Sequence, residues 1–170
     1  MKKNKFSKNW IIKQKRDIYV KKSKLEGYRS RAVYKLQEIN EKFKLIKNNA
    51  LVVDLGAAPG SWSQYISRNF KSSKIISIDW KDIEPIKNLF HIKGDFTEDD
   101  QKIKIQNYFG KKVDLIISDM AVNTTGNKSV DSLVTGELCI EAMNFAVELL
   151  NKKGTFISKL FMGSSFNEIV

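Results

Sequence analysis

Polar residues close three predicted strands and lie within a fourth, which marks a candidate site for chemistry. Asp79, Asp95 and Asp119 each follow an apolar run, and Lys159 lies within the run FISKLF. The carboxyl ends of parallel strands meet at one edge of a sheet, so these side chains should share a cleft. Asp79 is placed to accept hydrogen bonds from a ribose diol. Asp95, or the backbone beside Gly94, is placed to read an adenine edge, so we expect a nucleoside-bearing ligand.

Lys159 is the reactive candidate in this set. A charged ammonium among Phe156, Ile157 and Leu160 costs free energy when it is buried, so it should pair with a carboxylate or shift toward neutrality. The functional interpretation is a lysine that faces the same cleft as Asp119. The structural alternative is an edge lysine whose head reaches water along its aliphatic stem.

The stretch VVDLGAAPGSW, residues 52–62, should organise the site. It begins as a buried strand, turns through Asp54 and Gly56, and continues after Gly60 as a helix. Glycine removes side chains that would block a ligand's approach to the backbone. The turn is neither a P-loop, because no GK[ST] closes it, nor the dinucleotide motif GxGxxG. It favours a nearly neutral ligand over a pyrophosphate, although such a joint alone can be purely architectural.

Strands alternate with helices along the chain. The predicted strands are 51–55, 74–79, 89–93, 113–118 and 155–161, and the predicted helices are 14–24, 29–43, 61–70, 99–108 and 131–151. This order indicates an α/β fold with a mostly parallel, doubly wound, Rossmann-like sheet. In helix 29–43 apolar residues recur at helical spacing and should face the core: Ala32, Leu36, Ile39 and Phe43. Lys35 lies on another stripe of the same helix. Helix 131–151 should turn three acids to solvent, namely Glu137, Glu141 and Glu148.

Positive charge is concentrated at the start of the chain. Residues 1–35 contain 13 Lys and Arg against 2 acids, whereas residues 36–170 contain 17 of each. Aromatic residues that can stack on bases are interleaved with these cations: Trp10, Tyr19, Tyr28 and Tyr34. We therefore predict that residues 1–28 are an RNA-binding arm with strong salt dependence. A solvated basic tail is the alternative. Binding to an anionic membrane is disfavoured, because the arm shows no sustained apolar face opposite its charge.

Several classes of protein are disfavoured by composition. No apolar run approaches the roughly 18 residues that a membrane span needs. The first residues lack the apolar region and cleavage site of a secretory signal, so we expect a cytoplasmic protein. One cysteine, Cys139, and one histidine, His91, give neither a disulfide nor a metal site, and both are expected to be structural.

The C-terminal end of the predicted domain is short. Residues 29–170 form one catalytic domain, but only eight residues, 163–170, follow the last strand and its turn. Because complete folds cover an apolar edge strand, we expect that C-terminal strands are missing from this sequence.

Taken together, five motifs resemble the FtsJ-type RNA 2′-O-ribose methyltransferases. They are VVDLGAAPGSWSQY with Asp79, GDF at 94–96, SDMAVNTTG at 118–126, SKLFMG at 158–163 and SRAVYKLQEI at 30–39. The resemblance is closest to bacterial members that methylate a uridine ribose in large-subunit ribosomal RNA. It implies a class I methyltransferase fold, S-adenosylmethionine as cofactor, and ribosomal RNA or the large subunit as partner. We expect a monomer.

The resemblance also implies roles for individual residues. Three of the family's four catalytic residues fall on Lys35, Asp119 and Lys159, with Lys159 as the general base. Cofactor contacts fall on five positions: Gly60, Trp62, Asp79, Asp95 and Asp119. No metal is implied.

Three departures from the family pattern affect the site. Ser61 stands where a second glycine is usual, and Val122 replaces the proline common after SDMA. The fourth catalytic residue, a glutamate on a C-terminal strand, has no counterpart, because Glu168 follows SKLFMG too closely.

These departures leave a rival hypothesis, an RNA-binding module with the same fold and impaired catalysis. Amino-methylating, cytosine-methylating and nicotinamide-dependent enzymes rank lower, because NPPY-like, cysteine and GxGxxG motifs are absent at the relevant turns.

Overall fold

The structure is a computed structural model that describes residues 17–120 and 126–161. Its helices are α1 (Ile18–Leu25), α2 (Val33–Phe43), α3 (Ser61–Asn69), α4 (Asp99–Phe109) and α5 (Lys128–Leu149). Its strands are β1 (Leu51–Leu55), β2 (Lys74–Asp79), β3 (Leu89–Lys93), β4 (Val113–Ser118) and β5 (Leu150–Ser158). The predicted alternation of strands and helices is confirmed.

The strands form one sheet in the order β3-β2-β1-β4-β5. Every pairing is parallel, and β1 lies at the centre, where Val53 pairs with Ile76 of β2 and Ile116 of β4. The strand order reverses direction between β1 and β4. In doubly wound sheets such a reversal opens a crevice at the carboxyl ends of the strands, where ligands bind.

Apolar residues of the central strands fill both faces of the sheet. On one face Val52 and Ile117 pack with Leu36 of α2 and Ile66 of α3. On the other face the core includes Val53, Ile76 and Ile116 of the strands with Ile105 and Phe145 of the helices. Burying one such side chain contributes roughly 1.5–3 kcal/mol, so the two layers fix the helices against the sheet. The α/β prediction is confirmed.

The last strand begins earlier and ends earlier than 155–161. Leu150 already pairs with Val113, and an irregularity in register follows before Thr155 pairs with Leu115. The polar run of residues 151–154 resembles a turn in sequence, but the bulge absorbs it within the strand. Lys159 therefore follows β5 instead of lying inside it.

Two helices also differ in detail from the sequence prediction. Helix α5 begins at Lys128 instead of 131, because the Asn127 side chain accepts hydrogen bonds from the amides of Ser129 and Val130. Phe43 was expected to face inward, but its side chain is 57% exposed. Helix α2 ends at Phe43, followed by Lys44 with a left-handed φ of 52°, so the ring lies beyond the packed turns.

Part of the predicted arm packs on the domain. Helix α1 overlaps the predicted helix 14–24, and the Asp17 carboxylate, which caps it, is paired with Arg31. Tyr34 donates a hydrogen bond to Glu26 at 3.0 Å, and Arg68 donates to the carbonyl groups of Glu26 and Gly27. Residues 1–16 lie outside the described part. Within the described ranges, no helix combines the length and apolarity that crossing a bilayer requires.

His91 and Cys139, which were expected to be structural, both make side-chain contacts within the fold. Ser77 donates to Nδ1 of His91 at 2.9 Å, and Nε2 of His91 donates to the Lys81 carbonyl at 3.1 Å. Cys139 is buried, and its thiol lies 3.5 Å from Oγ of Ser158.

Candidate active site

A cavity of ≈ 710 Å³ opens at the carboxyl ends of the strands on both sides of the reversal in strand order. Asp79, Asp95 and Asp119 all line it, so the three acids predicted from strand ends lie around one space. Small-molecule sites usually enclose about 300–1,000 Å³, so the cavity has the size of a ligand site.

The glycine turn after β1 forms part of the cavity wall. Gly56 has a φ of 64°, and a Cβ added there would overlap Cγ of Met120 and lie 2.7 Å from its Sδ. The amides of Gly56 and Ala57 both donate to the carbonyl of Ile78, at 2.8 and 3.2 Å. These bonds tie the turn to β2.

The carboxylates of Asp79 and Asp95 are held by backbone donors. Asp79 accepts hydrogen bonds from the amides of Ala58 and Lys81, both at 2.8 Å and on different oxygens. Asp95 uses one oxygen, Oδ1, to accept from the amide of Thr97 at 3.0 Å and from its hydroxyl at 2.8 Å. Both groups are thus oriented before a ligand arrives, with acceptor lone pairs remaining for ligand hydroxyl or amino groups.

Asp119 joins two lysines from distant parts of the chain. Nζ of Lys35, on α2, donates to both oxygens of Asp119 at 2.9 and 3.0 Å. Nζ of Lys159 lies 3.5 Å from Oδ1 of the same carboxylate. The amide of Lys159 donates to the carbonyl of Ser118 at 2.9 Å, which fixes this residue beside the end of β4. The structure therefore brings the three predicted catalytic residues together.

The surroundings of Lys159 make its ammonium easier to deprotonate than that of an ordinary lysine. Burial is the largest cause and lowers the pKa of its ammonium below the usual 10.5; Asp119 opposes this shift and Lys35 adds to it. The side chain of Lys159 is 22% exposed, whereas that of Lys35 is 51% exposed. Of the two amines, Lys159 is thus the one suited to accept a proton.

Asp54, which the sequence prediction placed in strand 51–55 where the chain begins to turn, is a buried carboxyl. It lies inside β1, with only 2% exposure, and accepts hydrogen bonds from the amide and hydroxyl of Ser63 at 3.1 and 2.6 Å. Burial raises the pKa of Asp54 to about 7, with smaller contributions from Asp119 and Asp79, while the bonds from Ser63 oppose the rise. Asp54 therefore keeps its proton to a higher pH than an ordinary aspartate does.

Gly60 and Trp62 do not line the large cavity. Trp62 is buried, donates its indole N–H to the carbonyl of Ala32 at 2.8 Å, and borders a smaller cavity of ≈ 40 Å³ that Asp119 also lines. Gly60 borders neither cavity; it precedes α3 with a φ of 94°. Their assignment as cofactor contacts remains a prediction.

Other residues at the cavity were missed from the sequence. Trp80 lines it with 70% of its side chain exposed. Its only sequence signal is its place directly after Asp79 at a strand end. Glu141 was predicted to face solvent from helix 131–151, and it is exposed but also borders the cavity. Helical spacing predicts on which face of a helix a residue lies, but it does not predict which element packs opposite that face.

Two of the departures from the family pattern lie outside the described residues. Val122 belongs to the stretch 121–125 and Glu168 to the stretch 162–170. Ser61 is buried, and its hydroxyl lies 2.7 Å from that of Ser30. A serine is therefore accommodated where a glycine is usual.

Known proteins resemble this chain over most of its length. It is 62% identical to ribosomal RNA large subunit methyltransferase E of Pelagibacter ubique, over 100% of the chain and 84% of that protein. It is 47% identical to the protein of the same name from Rickettsia akari, over 96% of the chain and 75% of that protein.

A solved structure also resembles this chain in its fold. It is described as a ribosomal RNA methyltransferase from Plasmodium falciparum, with a TM-score of 0.78, 38% identity, and coverage of 84% of this chain and 83% of that one. The family model described as FtsJ-like methyltransferase matches residues 28–170. This chain therefore belongs to the FtsJ-like methyltransferase family.

Proposed function

We propose that this protein transfers a methyl group from S-adenosylmethionine to the 2′-hydroxyl of a ribose, at a uridine, in large-subunit ribosomal RNA. The family and the names of the close relatives support the reaction and the RNA. The observation that carries the proposal is the contact of Lys35 and Lys159 with Asp119 at the cavity. This contact supports Lys159 as the proton acceptor, because Asp119 also lines a space large enough for a nucleoside ligand.

The residues around the cavity fit S-adenosylmethionine, which carries a positive sulfonium. Among the described residues, four carboxylates (Asp79, Asp95, Asp119 and Glu141) and one lysine, Lys81, line the space, so its electrostatic field favours a cation. Asp79 would hold the ribose diol, Asp95 the adenine edge, and Asp119 the methionine end. Gly56 lines the same space. When bound, this cofactor supplies an electrophilic methyl group whose former carrier departs as a neutral thioether.

The chain's own contribution is alignment and proton removal. Holding two reactants in line can lower a barrier by ~7–11 kcal/mol. Removal of the hydroxyl proton by a positioned base adds about 10²–10⁴ in rate. We assign that role to the neutral amine of Lys159. Lys35 lowers the proton affinity of Lys159 by its charge and holds the Asp119 carboxylate with two hydrogen bonds.

The basic N-terminal arm, residues 1–28, is assigned to RNA binding. Lys21, Lys22 and Lys24 lie on α1 and are exposed. Asp17 caps this helix and pairs with Arg31, so the ion pair links the start of the helix to the segment that precedes α2. Phosphate contacts by lysine give binding that is independent of sequence and sensitive to salt.

A methyl-transfer assay with ribosomal RNA tests the reaction. The protein, methyl-labelled cofactor and large-subunit RNA lacking this modification should yield label in RNA, recovered after digestion as a 2′-O-methylated nucleoside. Label on a base would overturn the assigned acceptor. Absence of label with free RNA and with assembled large subunits, from protein that binds the cofactor, would favour the RNA-binding module without turnover.

A further inference from the structure

A second large cleft lies at the opposite end of the sheet from the methyl-transfer cavity. It encloses ≈ 690 Å³ and is bordered by residues 44–50 after α2, by the start of β4 and by the first half of β5. Four lysines line it: Lys44, Lys47, Lys152 and Lys153. From Asp114, in this cleft, to Asp119, in the other, β4 rises roughly 16 Å at about 3.3 Å per residue.

The charge of this lysine cleft is not balanced by its own residues. All four lysines are exposed, and across residues 17–120 and 126–161 none of their ammonium groups has a hydrogen-bond or ion-pair partner. Within the described part of the chain, Asp114 is the one acid that lines the cleft, and structural bonds use both of its oxygens. Oδ2 accepts from the amide of Leu51 at 2.8 Å, and Oδ1 accepts from the side chain of Asn151 at 2.7 Å. Asp114 offsets one of the four positive charges, so an anion in the cleft would meet a net positive field.

The two segments that carry these lysines are held in place. The Asn40 side chain accepts from the amide of Ile46 at 2.9 Å, and Ser73 donates to the carbonyl of Lys47 at 3.3 Å. On the other side the Asn151 side chain accepts from the amide of Lys153 at 2.8 Å. The cleft is thus formed before any ligand binds, which lowers the entropic cost of binding.

The lining chemistry selects among anionic partners. Among the residues that the structure describes, no aromatic side chain lines the cleft, so these residues offer bases no surface on which to stack. Its apolar residues, Ala50 and Leu115, are buried and Leu45 is half-buried, so a protein partner would find no exposed apolar anchor. Closely spaced lysines on a rigid wall suit a phosphodiester backbone.

We infer that the lysine cleft is a second RNA-binding site, which contacts the phosphate backbone of the same substrate at a distance from the methylated ribose. The inference rests on the proposed function. Because the two clefts lie at opposite ends of the sheet, a short oligonucleotide reaches one of them, whereas a long folded RNA reaches both. The second site therefore favours large RNA substrates over fragments.

Two triple variants of equal charge test this site. Lys47→Gln with Lys152→Gln and Lys153→Gln removes three cations from the cleft. Lys71→Gln with Lys87→Gln and Lys111→Gln removes three exposed cations that line neither cleft. Filter binding at several salt concentrations compares them with the unmodified protein on three ligands: protein-free large-subunit RNA, assembled large subunits, and a short oligonucleotide around the target. Melting temperatures show whether both variants are folded.

The cleft variant should bind long RNA at least about tenfold more weakly, and the magnitude of its salt slope should fall by about 2–3. Binding and methylation of the oligonucleotide should change no more than in the control variant. Equal affinities and slopes for the two folded variants on long RNA would overturn the site. So would a loss confined to assembled subunits, which would indicate a ribosomal protein as partner. Failure of the unmodified protein to methylate any RNA would reject the proposed function separately.

Discussion

The ammonium group of Lys159 lies 3.5 Å from Oδ1 of Asp119, on a carboxylate whose two oxygens already accept hydrogen bonds from Lys35. Asp119 is thus shared between two cations. An unshared carboxylate would hold Lys159 in its charged form more firmly. Sharing weakens this effect, while burial and the charge of Lys35 act in the opposite direction and lower the pKa of Lys159. The arrangement suits a lysine that must release and take up a proton.

Replacing Lys35 should shift the pH dependence of methyl transfer. The reaction requires neutral Lys159, so its rate should rise with pH through the lowered pKa of that amine and then level off. Lys35→Met removes a neighbouring charge and frees Asp119 to pair with Lys159, and both changes raise the pKa of Lys159. The rising limb should move to higher pH.

Single-turnover rates between pH 6 and pH 10 measure this effect. Lys87→Met serves as the control, because Lys87 is exposed and lines neither large cavity. If the rising limb of the rate stays at the same pH in Lys35→Met and only the plateau rate falls, Lys35 acts only on substrate binding.

Asp54 should make the stability of the protein depend on pH. Its pKa is about 7 in the fold, whereas the usual value is 3.8. Between these two pH values the folded protein therefore keeps a proton on Asp54 that the unfolded chain has released. Stability should therefore fall as pH rises from about 4 to about 7, on the order of 4 kcal/mol from this group. Asn at this position can still accept from Ser63 but does not titrate.

Urea denaturation of the unmodified protein and of Asp54→Asn at several pH values isolates this contribution. The variant should lack the fall between pH 4 and pH 7, whatever its stability at one pH. Parallel profiles of stability against pH for the two proteins would contradict the raised pKa of Asp54.

Gly56→Ala should weaken both the fold and cofactor binding. A positive φ costs an L-residue about 1–2 kcal/mol, and overlap of the new Cβ with Met120 adds roughly 1–3 kcal/mol. Gly110→Ala is a matched control, because Gly110 has a φ of 67° with no atom within 4 Å of the added Cβ. Chemical denaturation and calorimetric titration with the cofactor compare the two. If both variants lose the same stability and bind the cofactor equally, then Met120 does not restrict this position.

Removal of residues 1–16 should affect RNA binding and leave the site intact. This segment holds seven Lys and Arg and no acid, so its loss should flatten the salt dependence of RNA affinity. Cofactor affinity should stay the same, because the described contacts of α1 with Tyr34 and Arg68 lie outside the deletion. An identical salt slope in filter binding would reduce the segment to a solvated tail.

Much of the fold follows from local sequence signals. Four strands lie at the predicted residues, because each is a short apolar run between turn residues. Strand β5 differs because Asn151–Gly154 reads as a turn, and only pairing of Leu150 with Val113 shows the bulge. Periodicity cannot reveal a register that depends on a neighbouring strand.

The site was predicted in part and for two different reasons. The acids at strand ends follow from sheet geometry, so Asp79, Asp95 and Asp119 could be grouped from the sequence. Lys35 is 84 residues from Asp119, and only the family resemblance indicated that the two meet. The burial of Asp54 was missed, because its partner Ser63 lies on the following helix and reaches it through tertiary packing.

Methyl transfer by Lys159→Ala and Lys159→Arg, measured beside cofactor affinity, tests the central claim most directly. Both variants should bind S-adenosylmethionine like the unmodified protein, and both should transfer label to ribosomal RNA about 10²–10⁴ times more slowly, because alanine has no base and a guanidinium keeps its proton. Normal transfer by either variant would contradict the assignment of Lys159 as the proton acceptor.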